Sequence, residues 1–130
     1  MQGIDRPRTL GQAHSDRWLD DVGQQTKQLQ LGQNVLKKMA KLQMGTRFPV
    51  DPQVNRETFE SMTDAAGALI GLMQERRGSP LTPHQKLRLH RQLKRLAQVD
   101  PHGIPNREAS SKVADARRAV AERWKQETSS

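Results

Sequence analysis

Residues 59–73, FESMTDAAGALIGLM, decide the fold. Phe59, Met62, Ala66, Leu69 and Met73 recur every three or four residues, as one buried helical face requires. Ala65, Ile70 and Leu72 widen that face to more than half the circumference near its C-terminus. The most apolar segment of an otherwise polar chain belongs at the centre of the structure. Asp51-Pro52 supplies an N-cap and first-turn proline, with Asn55 as a second candidate start, and Gly78-Ser79-Pro80 supplies the stop. A helix over 52–77 is predicted.

Upstream, Phe48-Pro49-Val50-Asp51-Pro52 breaks any helix. Before it, Trp18, Val22, Leu29, Leu36 and Met39 form another seam, weakened at its centre by Gln25 and Gly32. Ser15 is the expected N-cap, Asp16 complements the dipole, Lys37, Lys38 and Lys41 load the last turns, and Gly45 is the expected left-handed residue beyond the end. This predicts a helix over 15–44. Residues 1–13, with Gly3, Pro7 and Gly11 and no periodicity, read as a flexible arm.

Downstream, Thr82-Pro83-His84-Gln85 combines a hydroxyl cap, a first-turn proline and a glutamine three residues on, so a third helix runs over 83–98. Asp100-Pro101-His102-Gly103-Ile104-Pro105 is a rigid connector, and Asn106 caps a fourth helix over 106–126. Its stripe of Ala109, Val113, Ala116, Val120 and Trp124 is made largely of small residues suited to close packing. Gly67-Ala68-Leu69-Ile70-Gly71 likewise reads as a close-packing element. The expectation is an all-α, small four-helix bundle-like domain over 14–126, with a flexible N-terminal arm and a frayed tail at 127–130.

Charge is concentrated. Of 22 Lys and Arg residues, seven lie between Arg76 and Val99, a window holding none of the 14 acids, and outside it the balance is 15 against 14. On an ideal helix Leu89, Leu93 and Leu96 share an arc of ~60° at 100° per residue. His84, Arg88, Arg91 and Arg95 fall nearly opposite, and Lys86, His90 and Lys94 flank the leucine stripe. A helix that needs only solubility mixes signs and gains i,i+4 pairs of ~0.2–0.5 kcal/mol each. Here no such pair exists, so a counter-charge is expected elsewhere. It is either external or the acidic start of the second helix, Asp51, Glu57, Glu60 and Asp64, facing the third across an antiparallel hairpin.

The preferred expectation is a non-enzymatic binding protein whose third helix contacts a polyanion, nucleic-acid phosphates first, with weak sequence specificity. The candidate contacts are Arg76, Arg77, His84, Lys86, Arg88, Arg91, Lys94 and Arg95. The connection Gly78-Ser79-Pro80-Leu81 has helix-turn-helix length, and Gln85 and Gln92 are the candidate base readers. Without Tyr, and with both Phe and both Trp outside the window, base stacking of the kind used by RNA-recognition sheets is excluded. The alternative is a helical protein–protein interaction module, an adaptor, chaperone-like or assembly subunit, whose basic face meets an acidic protein. Trp18 and Trp124 are then either core anchors or interface residues, and a second copy is a candidate partner.

Catalytic and metal chemistry find no support in the residues. There is no Cys, and His14, His84, His90 and His102 lack metal-ligand spacing. Glu57, Glu60 and Asp64 lack the Glu-x-x-His partner motif of di-metal bundles and read as first-turn dipole complements. No nucleophile elbow or phosphate loop appears, so neither an enzyme nor a cofactor is expected. The longest apolar run, Ala65–Met73, is less than half of the ~20 residues a membrane span needs. With no signal-peptide pattern, a cytoplasmic or intracellular protein is expected, although signal-less export leaves no trace in sequence.

Overall fold

The computed structural model describes residues 9–45, 52–75 and 80–129. It contains four α-helices, α1 (Leu10–Gly45), α2 (Pro52–Gln74), α3 (Pro83–Ala97) and α4 (Arg107–Thr128), with a 3-10 turn at Pro101–Gly103 before α4. The architecture is all-α and bundle-like. Trp18 lies against Leu72 and Gly32 against Met62, so α1 and α2 run antiparallel. Asp16 meets Arg88 and Gln33 meets Gln98, so α3 runs parallel to α1. α4 returns along α3 and also packs on α2, so the helices follow the order α1–α2–α4–α3 around the core. Helices α2 and α3, consecutive in the chain, occupy opposite corners, and their described backbones do not approach one another.

Three of the four helix starts have identifiable local chemistry. At α3 the Thr82 Oγ1 accepts from Gln85 N at 3.2 Å, and Gln85 Oε1 accepts from Thr82 N at 2.9 Å. Asn106 caps α4 through Ala109 N at 2.9 Å. Helix α1 starts at Leu10, five residues ahead of the expected Ser15, because Thr9 and Gln12 form the same reciprocal cap with both bonds at 3.1 Å. Ser15 is buried inside the helix instead. Gly45 is the last residue of α1 and not the residue beyond it. At the other end of the chain α4 continues to Thr128, whose hydroxyl donates to Trp124 O at 2.8 Å. Asp51 and Gly78, the expected cap and stop of α2, lie outside the described residues, as does the 1–8 portion of the arm.

The core follows the expected seams. Trp18, Val22 and Leu29 of α1 meet Met62, Ala66 and Leu69 of α2, with Leu89 and Leu96 of α3 and Val113, Ala116 and Val120 of α4 completing it. Gly32 is not a weak point in the seam. A Cβ there would sit 2.5 Å from Met62 Cγ, so the glycine is the socket into which Met62 fits. Gly67 and Gly71 behave in the opposite way, since a Cβ on either would meet nothing within 4 Å. The close packing expected of them is absent among the described residues. Changing both to Ala is expected to raise stability by ~1–2 kcal/mol, because Ala exceeds Gly by up to ~1 kcal/mol inside a helix. A higher urea midpoint checks this, and a lower one would show that the open surface tolerates no methyl.

Polar groups pin the two ends of the bundle. At one end Trp18 Nε1 donates to Leu72 O at 2.7 Å, while Arg123 donates to Met73 O at 2.5 Å and Glu75 O at 3.0 Å. The guanidinium carbon lies 5.1 Å from the Trp18 ring centroid. Side chains of α1 and α4 thereby bond carbonyls at the C-terminus of α2, where Leu72 O also accepts from Glu75 N at 3.3 Å. Burial pulls the Arg123 pKa down, and the Glu75 charge opposes that shift. At the other end Gln33 donates to Gln98 O at 3.0 Å and accepts from Asp100 N at 2.8 Å, tying α1 to the turn that leaves α3.

Candidate binding surface on the third helix

Helix α3 divides its circumference three ways. Gln85, Leu89 and Leu96 face the core and are fully buried. On the side towards α1, Arg88 pairs with Asp20 Oδ1 at 2.6 Å and reaches Asp16 Oδ1 at 3.4 Å, leaving its side chain only 27% exposed. Two acids one turn apart on α1 therefore supply counter-charge to this acid-free helix. The acidic start of α2 does not, because α2 sits at the far corner. Arg88, expected on the outward column, is a structural ion pair. Its partners were readable as an i,i+4 pair beside the α1 seam.

The amides expected to read bases also turn inward. Gln85 completes its cap and donates from Nε2 to Asp16 Oδ1 at 3.0 Å and Gln12 O at 3.2 Å. Gln92 packs over Gly23, where a Cβ would lie 3.4 Å from its Nε2. The separation of α2 from α3 leaves no helix-turn-helix pair, since that motif needs the two helices in contact.

His84, Arg91, Lys94 and Arg95 are exposed, with no acidic partner among the described residues. Lys86 is half-buried, and His90 packs its ring 4.9 Å from that of Trp124. Arg76 and Arg77 lie outside the described residues. Trp18, at 2% exposure, belongs to the core, whereas Trp124 is half-buried at the edge of the α3–α4 contact.

Along that contact runs an open groove of about 550 Å³. Leu93, Leu96, Ala114 and Ala121 form its floor, with His102 and Arg118 on the rim. Arg117 holds the turn by donating to Val99 O at 3.2 Å, and Arg118 pairs with Asp115. No residue spacing signals this trough directly. Ala109, Val113, Ala116 and Val120 do pack closely, but Ala114 and Ala121 fall to one side of that stripe, where their small side chains leave space. On the outer side of α3, Leu87 is 64% exposed between Arg91 and Lys94 on the helical projection.

Among the described residues no group of three or more His, Cys, Asp or Glu is placed to hold a metal ion, and no helix is long and apolar enough to cross a membrane. Comparison of the chain with protein-family models, with curated proteins and with solved structures finds no match.

Proposed function

We propose that this chain is a helical protein-interaction module whose α3–α4 face takes an acidic, amphipathic segment of a protein partner. The observation that carries this reading is the apolar-floored groove with Arg117 and Arg118 in its lining, on a helix pair whose α3 outer face carries exposed His84, Arg91, Lys94 and Arg95. An amphipathic helix laid in such a groove places aliphatic anchors on Leu93, Ala114 and Ala121, while its acids meet Lys94 and compete with Asp115 for Arg118. Exposed Leu87 extends the apolar contact. A phosphate backbone has no use for either apolar element.

A second reading, non-specific contact with nucleic-acid phosphates, draws on the same unpaired cations. It loses support from the inward positions of Arg88, Gln85 and Gln92. Arg91, Lys94 and Arg95 alone would give a log–log salt slope of only about −3 on duplex DNA, a weak interaction.

A photo-crosslinking residue at Leu87, expressed in the native host, tests the choice. Capture of acid-rich protein segments is expected, and Lys94→Glu combined with Arg118→Glu is expected to reduce it at least ~10-fold. Ala114→Phe, which fills the groove, is expected to do the same. Arg88 is left unchanged because Glu there would face Asp16 and Asp20 and disturb the fold. Capture of nucleic acid, lost with the charge reversals and indifferent to Ala114→Phe, would establish the phosphate reading instead.

A further inference from the structure

Helices α2 and α3 turn their outer faces away from one another, at opposite corners of the bundle. On α2, Glu57, Glu60, Asp64, Gly67, Ala68 and Gly71 share an arc of ~100° at 100° per residue. Glu60 and Asp64 line grooves on both flanks, towards α1 and towards α4, so they crest the helix. Glu57, Glu60 and Asp64 are exposed and have no ion-pair partner among the described residues. One turn further on, the crest is flat. Gly67 and Gly71 have neither a positive φ nor a neighbour that a Cβ would touch, so no contact among the described residues requires them. Glycine on a helix surface costs stability and permits the close approach of another chain.

The outer face of α3 is the complement of this crest. Leu87, Arg91 and Lys94 share an arc of ~60°, with Arg95 at its edge. Leu87 is 64% exposed, and the three cations are unpaired among the described residues. Asp64, Gly67, Ala68 and Gly71 stand at i, i+3, i+4 and i+7, the corners of the hole that a side chain of a facing helix enters. With Leu87 in that hole and the two helices antiparallel, Arg91 stands level with Asp64 and Lys94 level with Glu60. On the helical projection Lys94 and Glu60 then fall to one side of the contact line, and Arg91 and Arg95 fall to the other with Asp64 and Glu57. A parallel crossing with the same knob would carry Glu57 and Glu60 past the start of α3, away from its bases.

We propose that the outer face of α3 docks antiparallel on the crest of α2 in a second copy of the chain, joining copies head to tail. Opposite charges meet at three places along the contact, and the exposed leucine finds the one stretch of α2 without side chains in its way. Because the two faces of one molecule point in opposite directions, a pair of copies cannot make both contacts, and the series continues beyond two. The contact shares Leu87 and Lys94 with the α3–α4 face but leaves the groove floor free. It therefore does not rest on the function proposed for that groove.

One helix face on another is a small interface, so association is weak and is read by sedimentation equilibrium of the full chain up to ~300 μM. The average mass is expected to keep rising with concentration past that of a dimer. Arg91→Glu is expected to weaken association ~10-fold, and adding Asp64→Arg to the same chain to restore it. Two further variants each block one face. Leu87→Asp removes the knob, and Gly67→Gln with Gly71→Gln fills the hole with residues that favour the helix, so helicity is expected to stay unchanged in both. Each is expected to be monomeric alone, whereas an equal mixture is expected to form pairs and nothing larger. Ala114→Phe, which fills the α3–α4 groove, is expected to leave association unchanged. A monomeric native chain, a dimer that does not grow, indifference to the Arg91 and Asp64 exchange, or a mixture that fails to pair would each overturn the proposal. Association lost in Ala114→Phe would overturn it too, by placing the contact in the groove.

Discussion

Arg123→Met is expected to lower the unfolding free energy by ~3–4 kcal/mol, more than any other single change considered in this molecule. The methionine nearly fills the space and keeps contact with Trp18, so little of the loss comes from a cavity. It comes from the carbonyls of Met73 and Glu75, which now accept from one charged side chain and would be left without it near the end of α2. Hydrogen bonds to a charged group contribute ~1.5–3 kcal/mol each, and breaking a buried charged network sits at the upper end of single-site effects. Arg123→Lys separates charge from geometry. A single ammonium cannot reproduce the guanidinium fork, so about half of the loss should remain. Urea unfolding of the two variants checks both numbers. A loss below ~1 kcal/mol for the methionine would mean that water satisfies the α2 terminus as well as Arg123 does.

Gly32→Val is expected to lose ~2–3 kcal/mol despite the better helix propensity of valine, which returns only a few tenths. The new Cβ would fall 2.5 Å from Met62 Cγ and 2.8 Å from its Sδ. Those atoms lie within a fully buried side chain, so they cannot swing into solvent to make room. Either Met62 leaves its rotamer or α1 and α2 move apart along their whole contact. Shortening the partner should relieve the clash. Met62→Ala alone leaves a cavity, but Met62→Ala with Gly32→Val should lose less than the two separate losses added together, by at least ~1 kcal/mol. Simple additivity in the urea midpoints would show that the helices are not held by this approach.

These two positions also mark where residue patterns are informative and where they are not. Patterns of apolar spacing identified every helix, because burying a face is a one-dimensional periodic requirement. The caps at Thr82 and Asn106 were legible for the same reason, since each involves residues three apart. The start of α1 was legible in principle, as Thr9 and Gln12 have the same spacing, but Ser15 offered a competing signal closer to the seam. What periodicity cannot express is which helix lies next to which. The acidic start of α2 was the nearest counter-charge to α3 in sequence, yet Asp16 and Asp20, about seventy residues away, are the ones that meet Arg88. Arg123 illustrates the same point from the other side: in sequence it is one more cation on a charged helix, and only the α2 terminus makes it an interior group.

The same reasoning separates the glycines. Gly32, Gly67 and Gly71 all interrupt apolar runs, and composition treats them alike. One accepts a neighbouring side chain and two face open space. That distinction rests on the distance between helix axes, which no spacing rule contains. The basic face of α3 was legible as a charged surface, whereas the groove beside it depends on alanines of α4 lying opposite leucines of α3.

The polar pins at the two ends have a consequence for motion along the helix axes. Apolar contacts between aligned helices are tolerant of sliding, because a shift of one turn exchanges similar neighbours. The Arg123 fork on Met73 and Glu75 and the two-way amide bond of Gln33 allow no such exchange, since each recognises particular carbonyls and amides. Trp18 and Gln33 stand fifteen residues apart on α1, a span of ~22 Å at 1.5 Å per residue. Two fixed points at that separation forbid both translation and tilt of one hairpin against the other. The molecule thus behaves as a calibrated rod, in which the α3–α4 groove and the outer face of α1 keep a fixed axial offset.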